Sequence, residues 1–263
     1  MGITTTGAGG SVTNTVTGGV GGVALATQDY SIDFLGGSGF HTTIGSDGFD
    51  LTNISKTTFA FSVWMRIDVT SIFHTLQYLY YGNGGSNEMA SFFIGSNENV
   101  RAAIVWASNG RQVYFTPASG ISTSTWYHLY FKVDSTQATA SDRVEIYING
   151  TESISGTPTY PNQNEEMVFN PSPATDASVR AGADPSGNSR HNGLSYQAAF
   201  FDGDAGDLPT IDQVYNSGSP PDLTGISSLH SLMWDGTNTP DSAEDYVLAA
   251  DWDTTLATSS TTP

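Results

Sequence analysis

The chain has 263 residues, no cysteine, and 26 acidic against 8 basic residues, which gives a formal net charge of −18. Nucleic-acid binding relies on Lys and Arg that neutralise phosphates, so this balance argues against nucleic acid as a partner. The lack of cysteine excludes disulfides, thiolate nucleophiles and Cys-ligated zinc. No apolar run is long enough to span a bilayer and no secretory signal is recognisable, so we expect no membrane insertion.

Residues 1–27 form an uncharged segment rich in Gly, Thr and Val. Such a segment cannot build its own core, so we expect an arm that is either disordered or ordered by contact with a partner. Thr and Val favour extended structure, which suits strand addition to a neighbouring chain. The remainder, residues 28–263, is expected to form one domain that ends in an acidic segment at 236–263.

From residue 29 onward, short runs in which apolar and polar residues alternate predict many antiparallel strands. The clearest run extends from Phe59 to Asp68, and two others cover 126–133 and 143–148. Each predicts a strand with one buried face, which places Trp64 and Tyr130 on the opposite face. Asn109-Gly110 and Asn149-Gly150 lie at the ends of such runs and predict hairpins with type I′ turns, in which both central residues have positive φ.

Shorter runs predict further strands, and one segment predicts a helix. The expected strands lie around 29–34, 40–44, 75–81, 90–95, 177–183, 195–201, 228–235 and 244–249. The helix is expected at 208–216 with Asp207 as its N-cap. A dozen strands with one short helix indicate an all-β, two-sheet antiparallel jelly-roll sandwich.

Five motifs in order resemble the laminin G-like jelly rolls of the concanavalin A-like lectin and glucanase superfamily. They span residues 29–235 and read YSIDFLGGSGFHTTIG, TFAFSVWMRID, STSTWYHLYFKVD, RVEIYINGTE and YQAAFFDGDAGDLPTIDQVYNSG. The resemblance implies the concanavalin A-like sandwich fold. It does not fix the function, because one fold serves many activities.

The stretch YNSGSPPDL, followed by LHSLMWDG, also resembles laminin G-like domains encoded by tailed bacteriophages, marine ones in particular. This resemblance implies a non-enzymatic protein of the virion surface: a capsid decoration, head-fibre or tail-fibre module. It would assemble through its arm with itself or with a major capsid or other virion protein. The alternative is a carbohydrate-binding lectin module, extracellular if not on a virion, whose main activity is recognition of a cell-surface glycan. A weaker alternative is a glycan hydrolase.

Catalytic carboxylates are expected to be lacking. Glucanases of this superfamily place their nucleophile and acid on one strand in an E-x-D-x-E pattern, because the two groups must flank the bond at about 5 Å. The chain has no such spacing; the nearest pairs are Asp142 with Glu145 and Glu165 with Glu166. We interpret these as solvated surface carboxylates and expect no enzymatic activity.

Two sets of aromatic and amide residues are candidates for sugar binding, because exposed rings stack on sugars and polar loops supply hydrogen bonds. The first set follows a tyrosine-rich strand into a polar loop: Tyr78, Tyr80, Tyr81, Asn83 and Asn87. The second set surrounds a predicted hairpin: Trp106, Asn109 and Tyr114. The alternative for both is that the rings pack in the sandwich and the loops are only turns.

One acidic loop is a candidate calcium site. Asp202, Asp204 and Asp207 offer three carboxylates within six residues, and Ca²⁺ prefers such oxygen ligands. The alternative is a surface turn in which Asp207 caps the following helix. We expect that no cofactor is required and leave Ca²⁺ as an open possibility.

Overall fold

The computed structural model describes residues 31–34, 40–43, 54–80, 88–117, 120–168, 178–181, 191–232 and 257–259. About half of these residues lie in strands, and one α-helix, α1, covers Ile211–Tyr215. Short 3-10 turns lie at Ala140–Arg143 and Asn216–Gly218. The strands are β1 (Ser31–Phe34), β2 (Phe40–Thr43), β3 (Thr58–Ile67), β4 (His74–Tyr80), β5 (Glu88–Ile94), β6 (Val100–Trp106), β7 (Gly110–Phe115), β8 (Tyr127–Asp134), β9 (Val144–Ile148), β10 (Thr151–Glu152), β11 (Ser178–Ala181), β12 (Gly193–Asp202), β13 (Leu229–Leu232) and β14 (Ala257–Ser259).

The strands form two antiparallel sheets. The first sheet has eight strands in the order β10-β9-β8-β3-β12-β1-β14, and β13 also pairs with β12. The second sheet has six strands in the order β2-β11-β4-β5-β6-β7. Neighbouring strands are often distant in sequence, so the chain crosses repeatedly between the sheets, as in a jelly roll. The predicted all-β sandwich with one short helix is confirmed.

The main core lies between the two sheets and is rich in phenylalanine. Phe61 of β3, Phe131 of β8 and Phe92 of β5 are each 0% exposed. The Phe92 and Phe131 ring centroids are 5.7 Å apart, so rings from the two sheets are in contact. Ring pairs at such distances add about 0.5 to 1.5 kcal/mol to the free energy of burial. Phe61 and Phe131 occupy positions that the alternation predicted to be buried.

The prediction of a single buried face for β3 and β8 is wrong. The helix α1 and its flanking loops cover the outer face of the first sheet and form a second apolar cluster. Its buried members are Ala60, Tyr130, Ala199, Phe201, Val214 and Leu223. Tyr130 is 0% exposed, and its hydroxyl donates to the carbonyl oxygen of Pro209 at 2.7 Å. The alternation in these strands therefore separates two cores and does not separate core from solvent.

Both predicted hairpins are confirmed, but their turns differ. At Asn149-Gly150 the φ angles are 48° and 79°, as the type I′ prediction requires. At the other hairpin Trp106 pairs with Gly110 across a three-residue loop. Gly110 has φ 65°, whereas Asn109 is not among the residues with positive φ. The Asn109-Gly110 turn is therefore a longer loop that uses glycine alone in the left-handed region.

The helix is shorter than predicted and is capped by a different residue. It begins after the N-cap residue Thr210. The backbone N–H of Thr210 donates to Gln213 Oε1 at 2.8 Å. This contact is one half of a capping box. Pro209 disfavours the helical conformation at residue 208, so the helix cannot begin where the pattern suggested. Asp207 is exposed, and its carbonyl oxygen accepts from the Ser228 hydroxyl at 2.8 Å.

Several predictions concern residues outside the described ranges. These are the arm at 1–27, the strand around 244–249 and the acidic segment at 236–263 apart from β14, a strand that the pattern did not predict. β14 pairs with β1. Among the described residues, no helix is long and apolar enough to cross a membrane.

Candidate functional site

Three neighbouring strands bring two phenylalanines and an arginine into one row on the outer face of the second sheet. Phe93 of β5 lies opposite Arg101 of β6, which lies opposite Phe115 of β7. Residues directly opposite each other share one face of a sheet. The chain neighbours Phe92 and Tyr114 belong to the main core, so the row is on the face away from it.

Phe73, at the end of the loop that precedes β4, extends this row. Its ring centroid is 6.2 Å from that of Phe93, and Arg101 Cζ lies 5.8 Å from the Phe73 ring centroid. The second contact is a cation–π interaction. We call Phe73, Phe93, Arg101 and Phe115 the Arg101 platform.

The Arg101 platform is the part of the described surface where large apolar side chains are concentrated. Phe73 is 42% exposed and Phe115 is 40% exposed. The loop that carries Phe73 also exposes Val69 and Ile72, at 39% and 37%. Concentrated apolar exposure on a folded domain marks a binding surface more often than isolated exposure does.

Two asparagines and a glycine fix the guanidinium of Arg101. Arg101 Nε donates to Asn99 Oδ1 at 2.7 Å, and Nη2 donates to Asn97 Oδ1 at 2.9 Å. Gly95 provides the space, since a Cβ at that position would lie 2.5 Å from Arg101 Nε. A guanidinium carries five N–H groups, so three of them, on Nη1 and Nη2, have no acceptor among the described residues.

Arg101 also differs in its electrostatic surroundings from other basic residues of the described chain. Carboxylates lie within 4.0 Å of three of them: Lys56, Arg66 and Lys132. No carboxylate among the described residues lies at ion-pair distance from Arg101. The nearby Glu98 accepts instead from the backbone N–H of Ser71 at 2.7 Å. The charge of Arg101 is therefore not neutralised by a described carboxylate.

A buried histidine anchors the loop that carries Phe73. His74 Nε2 lies 2.9 Å from the carbonyl oxygen of Val69, and the backbone N–H of Asn192 donates to His74 Nδ1 at 3.2 Å. Because Nδ1 accepts, Nε2 carries the proton and donates to Val69. Burial lowers the pKa of His74, which favours this neutral form. The loop is thus tied to the start of β12 through an uncharged imidazole.

Two members of the first predicted sugar-binding set lie on the same sheet as the platform. The backbones of Tyr78 and Tyr80 are in β4 and pair with Ser91 and Glu88 of β5. Tyr78 therefore lies on the strand next to that of Phe93, and its partner Ser91 is two residues before Phe93 in β5. The other members of the set, Tyr81, Asn83 and Asn87, lie outside the described residues.

The second predicted set does not offer rings to a sugar. Trp106 and Tyr114 are each 1% exposed and pack in the main core. Trp106 Nε1 donates to the Tyr114 hydroxyl at 3.2 Å, which donates to the Thr159 carbonyl oxygen at 2.9 Å. Burial raises the pKa of Tyr114 to about 12. Asn109 lies in the hairpin loop, where its Nδ2 donates to Glu165 Oε2 at 2.8 Å. Both rings and the Asn109 amide thus have partners within the fold.

The three aspartates of the predicted calcium loop do not converge. Asp202 is 5% exposed, and its Oδ1 accepts from the backbone N–H groups of Ser55 at 2.8 Å and Asp204 at 3.1 Å. Asp204 and Asp207 are exposed. Within the ranges that the structure describes, no three His, Asp or Glu side chains form a group that could hold a metal ion. Asp202 instead joins the end of β12 to the segment before β3.

Glu165 is buried, although the sequence suggested a solvated carboxylate. It is 7% exposed and accepts from the backbone N–H groups of Ser108 at 2.9 Å and Asn162 at 2.7 Å. The Ser108 hydroxyl and the Asn109 backbone N–H also donate to it. Burial acts to raise the pKa of Glu165, but these hydrogen bonds outweigh burial and lower it. The carboxylate holds its loop against the β6–β7 hairpin.

Glu145 also has structural partners. Its Oε1 lies 3.1 Å from Lys132 Nζ on the neighbouring strand, and its Oε2 accepts from the Tyr147 hydroxyl. Glu145 is thus tied to two side chains of its own sheet. Glu145 and Glu165 therefore both accept hydrogen bonds from groups of the fold.

Comparison with known proteins places the fold in a family. The Laminin_G_3 family model, described as concanavalin A-like lectin/glucanases superfamily, matches residues 35–204. No curated protein sequence matches the chain.

The chain is similar to solved structures at low sequence identity. One is the native heptameric SAP-like pentraxin from Limulus polyphemus, with 11% identity and a TM-score of 0.51 over 89% of this chain and 96% of that chain. Another is the CBM40 of the Ruminococcus gnavus IT-sialidase, with 11% identity and a TM-score of 0.49 over 69% of this chain and 93% of that chain. The family match covers more than half of the sequence, so the chain belongs to the Laminin_G_3 family of the concanavalin A-like lectin/glucanases superfamily.

Proposed function

We propose that this chain is a non-catalytic carbohydrate-binding module that holds a glycan on the Arg101 platform. The observation that carries the proposal is the row itself: exposed Phe73 and Phe115 flank an arginine, three of whose N–H groups have no acceptor among the described residues. The superfamily includes lectins and glucanases, so family membership leaves both binding and hydrolysis open.

The shape and chemistry of the platform suit a short oligosaccharide. Aromatic rings cover the C–H faces of sugars, and the guanidinium donates to sugar oxygens beside them. Phe93 and Phe115 are two strands apart in the sheet, which corresponds to roughly 10 Å. The row is therefore long enough to contact more than one sugar ring.

The surroundings of the carboxylates favour binding over hydrolysis. Hydrolysis needs two carboxyl groups aimed at one bond, about 5 Å apart in retaining enzymes. Glu145 and Glu165 are each bound to partners within the fold. Neither belongs to the Arg101 platform, whose own members supply no carboxylate.

Assembly through residues 1–27 stays a prediction that rests on the composition of that segment, and the virion role stays a prediction that rests on the resemblance. So do the expected homo-oligomer, the capsid partner and the location on a virion surface. Recognition of a cell-surface glycan is compatible with that role, because a virion protein that binds glycans promotes adsorption.

The test is the binding of the full-length chain to an array of glycans, followed by titration calorimetry on the glycans that bind. We expect a defined subset to bind and Phe73→Ala and Phe115→Ala each to weaken that binding about three- to tenfold, since one ring–ligand contact contributes about 0.5 to 1.5 kcal/mol. Val168→Ala is the control, because Val168 is 37% exposed and lies beside Val105, near the opposite end of β6. Binding to no glycan, or unchanged affinity in both phenylalanine variants, would contradict the proposal.

A further inference from the structure

We infer that the glycan bound on the Arg101 platform is an acidic sugar, and that its carboxylate is bound end-on by the guanidinium of Arg101. The inference rests on the proposed function and adds the chemical class of the ligand. It is carried by the N–H groups of Arg101 that have no acceptor among the described residues, by the residues that fix the guanidinium, and by the single base of the Arg101 platform.

One end of the Arg101 guanidinium has no hydrogen-bond acceptor among the described residues. Asn99 accepts from Nε and Asn97 from Nη2, so these two amides occupy one edge of the guanidinium. The end formed by Nη1 and the second N–H of Nη2 has no acceptor among the described residues. Two parallel N–H groups at that end match the two oxygens of a carboxylate. An uncharged hydroxyl would use only one of them.

The hydrogen-bond partners of Arg101 leave its positive charge in place. The Asn97 and Asn99 acceptors are neutral, so they orient Arg101 without cancelling its charge. The chain as a whole carries a net charge of −18, and described bases such as Lys56 and Lys132 lie beside carboxylates. An arginine that is held by amides on a face of phenylalanines is therefore an anion site in an acidic protein. The long-range field does not attract an acidic ligand, so short-range contacts at Arg101 must supply the affinity.

The Arg101 guanidinium is held in place in the absence of a ligand. Gly95 leaves room for Nε, and the Phe73 ring lies beside Cζ. Arginine is flexible, and ordering such a side chain on binding costs about 0.5 to 1.5 kcal/mol. Here the contacts with Asn97 and Asn99 order it before any ligand arrives. This arrangement suits recognition of a defined group on the ligand.

The number of basic side chains on the platform distinguishes a carboxylated sugar from a polysulfated one as the ligand. Polysulfated chains are held by several basic side chains, whereas the platform supplies one. By register, the nearest base on the same face is Arg111 of β7. Arg111 pairs with Val105, which lies four residues after Arg101 in β6. At about 3.3 Å per residue the two lie about 13 Å apart along the strands. One arginine between rings fits one carboxylate on one sugar.

The test is titration calorimetry of the full-length chain with hexuronate and sialyl oligosaccharides and with their methyl esters, which keep the sugar but lose the charge. We expect at least one acidic oligosaccharide to bind at least tenfold more tightly than its ester. Arg101→Met removes that preference and leaves only the weak affinity of the ester. Arg101→Lys retains the charge but not the paired donors, and we expect it to recover only part of the preference.

Two further variants make the result specific. Arg111→Met changes the net charge by the same amount on the same face and should keep the preference. Gly95→Ala retains Arg101 but places a Cβ 2.5 Å from its Nε, so the guanidinium must move and the preference should fall in a folded protein. Circular dichroism and thermal unfolding of each variant establish that it is folded.

The outcomes separate this inference from the proposed function. Equal affinity for acids and esters, or tighter binding of a heparin-type sulfated oligosaccharide, overturns the inference while glycan binding stands. Binding of no sugar in any form overturns both. A preference that survives Arg101→Met and Gly95→Ala also overturns the inference, because the carboxylate would then be bound elsewhere.

Discussion

Glu165 and Glu166 are adjacent in sequence and have opposite surroundings in the fold. Glu165 is buried and accepts hydrogen bonds from Ser108, Asn109 and Asn162, whereas Glu166 is exposed and lies 4.0 Å from Lys56. Hydrogen-bonded buried carboxylates contribute far more to stability than exposed ion pairs do. The two residues therefore form a matched pair for a test at the scale of single side chains.

We expect Glu165→Gln to lower the free energy of unfolding by about 2 to 3 kcal/mol at pH 7, because several buried donors lose a charged acceptor. Glu166→Gln should change it by less than about 0.5 kcal/mol. The hydrogen bonds lower the pKa of Glu165, so its contribution is fully present above the unfolded pKa of about 4.3. The contribution is lost as the pH falls through the still lower folded pKa.

The measurement is the free energy of unfolding in urea, determined for the wild-type protein and both variants between pH 7 and pH 3. The difference between the unchanged protein and Glu165→Gln should shrink below about pH 4. Equal effects of the two substitutions at pH 7 would show that the Glu165 contacts contribute little.

Single residues also show what the sequence could and could not indicate about the site. Trp106 and Tyr114 fall at the buried positions of the alternation in β6 and β7, so that signal was available and pointed to packing. Arg101 and Phe115 fall at the outward positions of the same strands. The position of Phe115 opposite Arg101 depends on strand register, and the contact of Arg101 with Phe73 depends on a loop conformation; no local pattern encodes either.

At the scale of elements, the β9–β10 turn lies against the segment that covers the first sheet. Tyr215 at the end of α1 stacks on Trp64 with ring centroids 5.9 Å apart, and its ring is tilted against that of His128 with centroids 5.6 Å apart. A Cβ at Gly150 would lie 2.6 Å from Tyr215 Cδ1. The turn and the helix are therefore coupled through one ring.

Comparison of Gly150→Ala with Gly110→Ala tests this coupling. Both glycines have positive φ, at 79° and 65°, so both substitutions incur about 1 to 2 kcal/mol of backbone strain. A Cβ at Gly110 meets nothing within 4 Å, whereas a Cβ at Gly150 collides with Tyr215. We expect Gly150→Ala to be more destabilising by a further 1 to 3 kcal/mol, roughly the cost of overpacking. Urea unfolding measures the difference, and equal losses in both variants would contradict the coupling.

The elements themselves were largely predictable, because alternation and Asn-Gly turns are local signals. The strand positions from β3 to β9 and both hairpins were expected from such signals. Two features were not. The coverage of the second face of β3 depends on a segment more than a hundred residues away, and the start of α1 depends on Thr210 and Gln213 acting together.

At the scale of the whole molecule, the two sheets differ in what lies on their outer faces. The helix α1 and its flanking loops cover the first sheet and bury Tyr130 and Phe201. The second sheet carries the Arg101 platform near the β5–β7 side, with Phe73 and Phe115 exposed. Among the described residues, the outer face of the first sheet is thus covered by the chain itself, whereas that of the second sheet exposes rings beside a cation. We therefore propose the second sheet as the glycan-binding side of the sandwich.

The most direct test of that assignment is a nuclear magnetic resonance titration of the isotope-labelled full-length chain with the oligosaccharide that binds most tightly. The account predicts that the largest changes in backbone amide shifts occur at Phe73, Phe93, Arg101 and Phe115, with little change in α1. Changes concentrated in α1 and around Asn149-Gly150, with the platform amides unaffected, would place the binding surface on the first sheet and contradict the account.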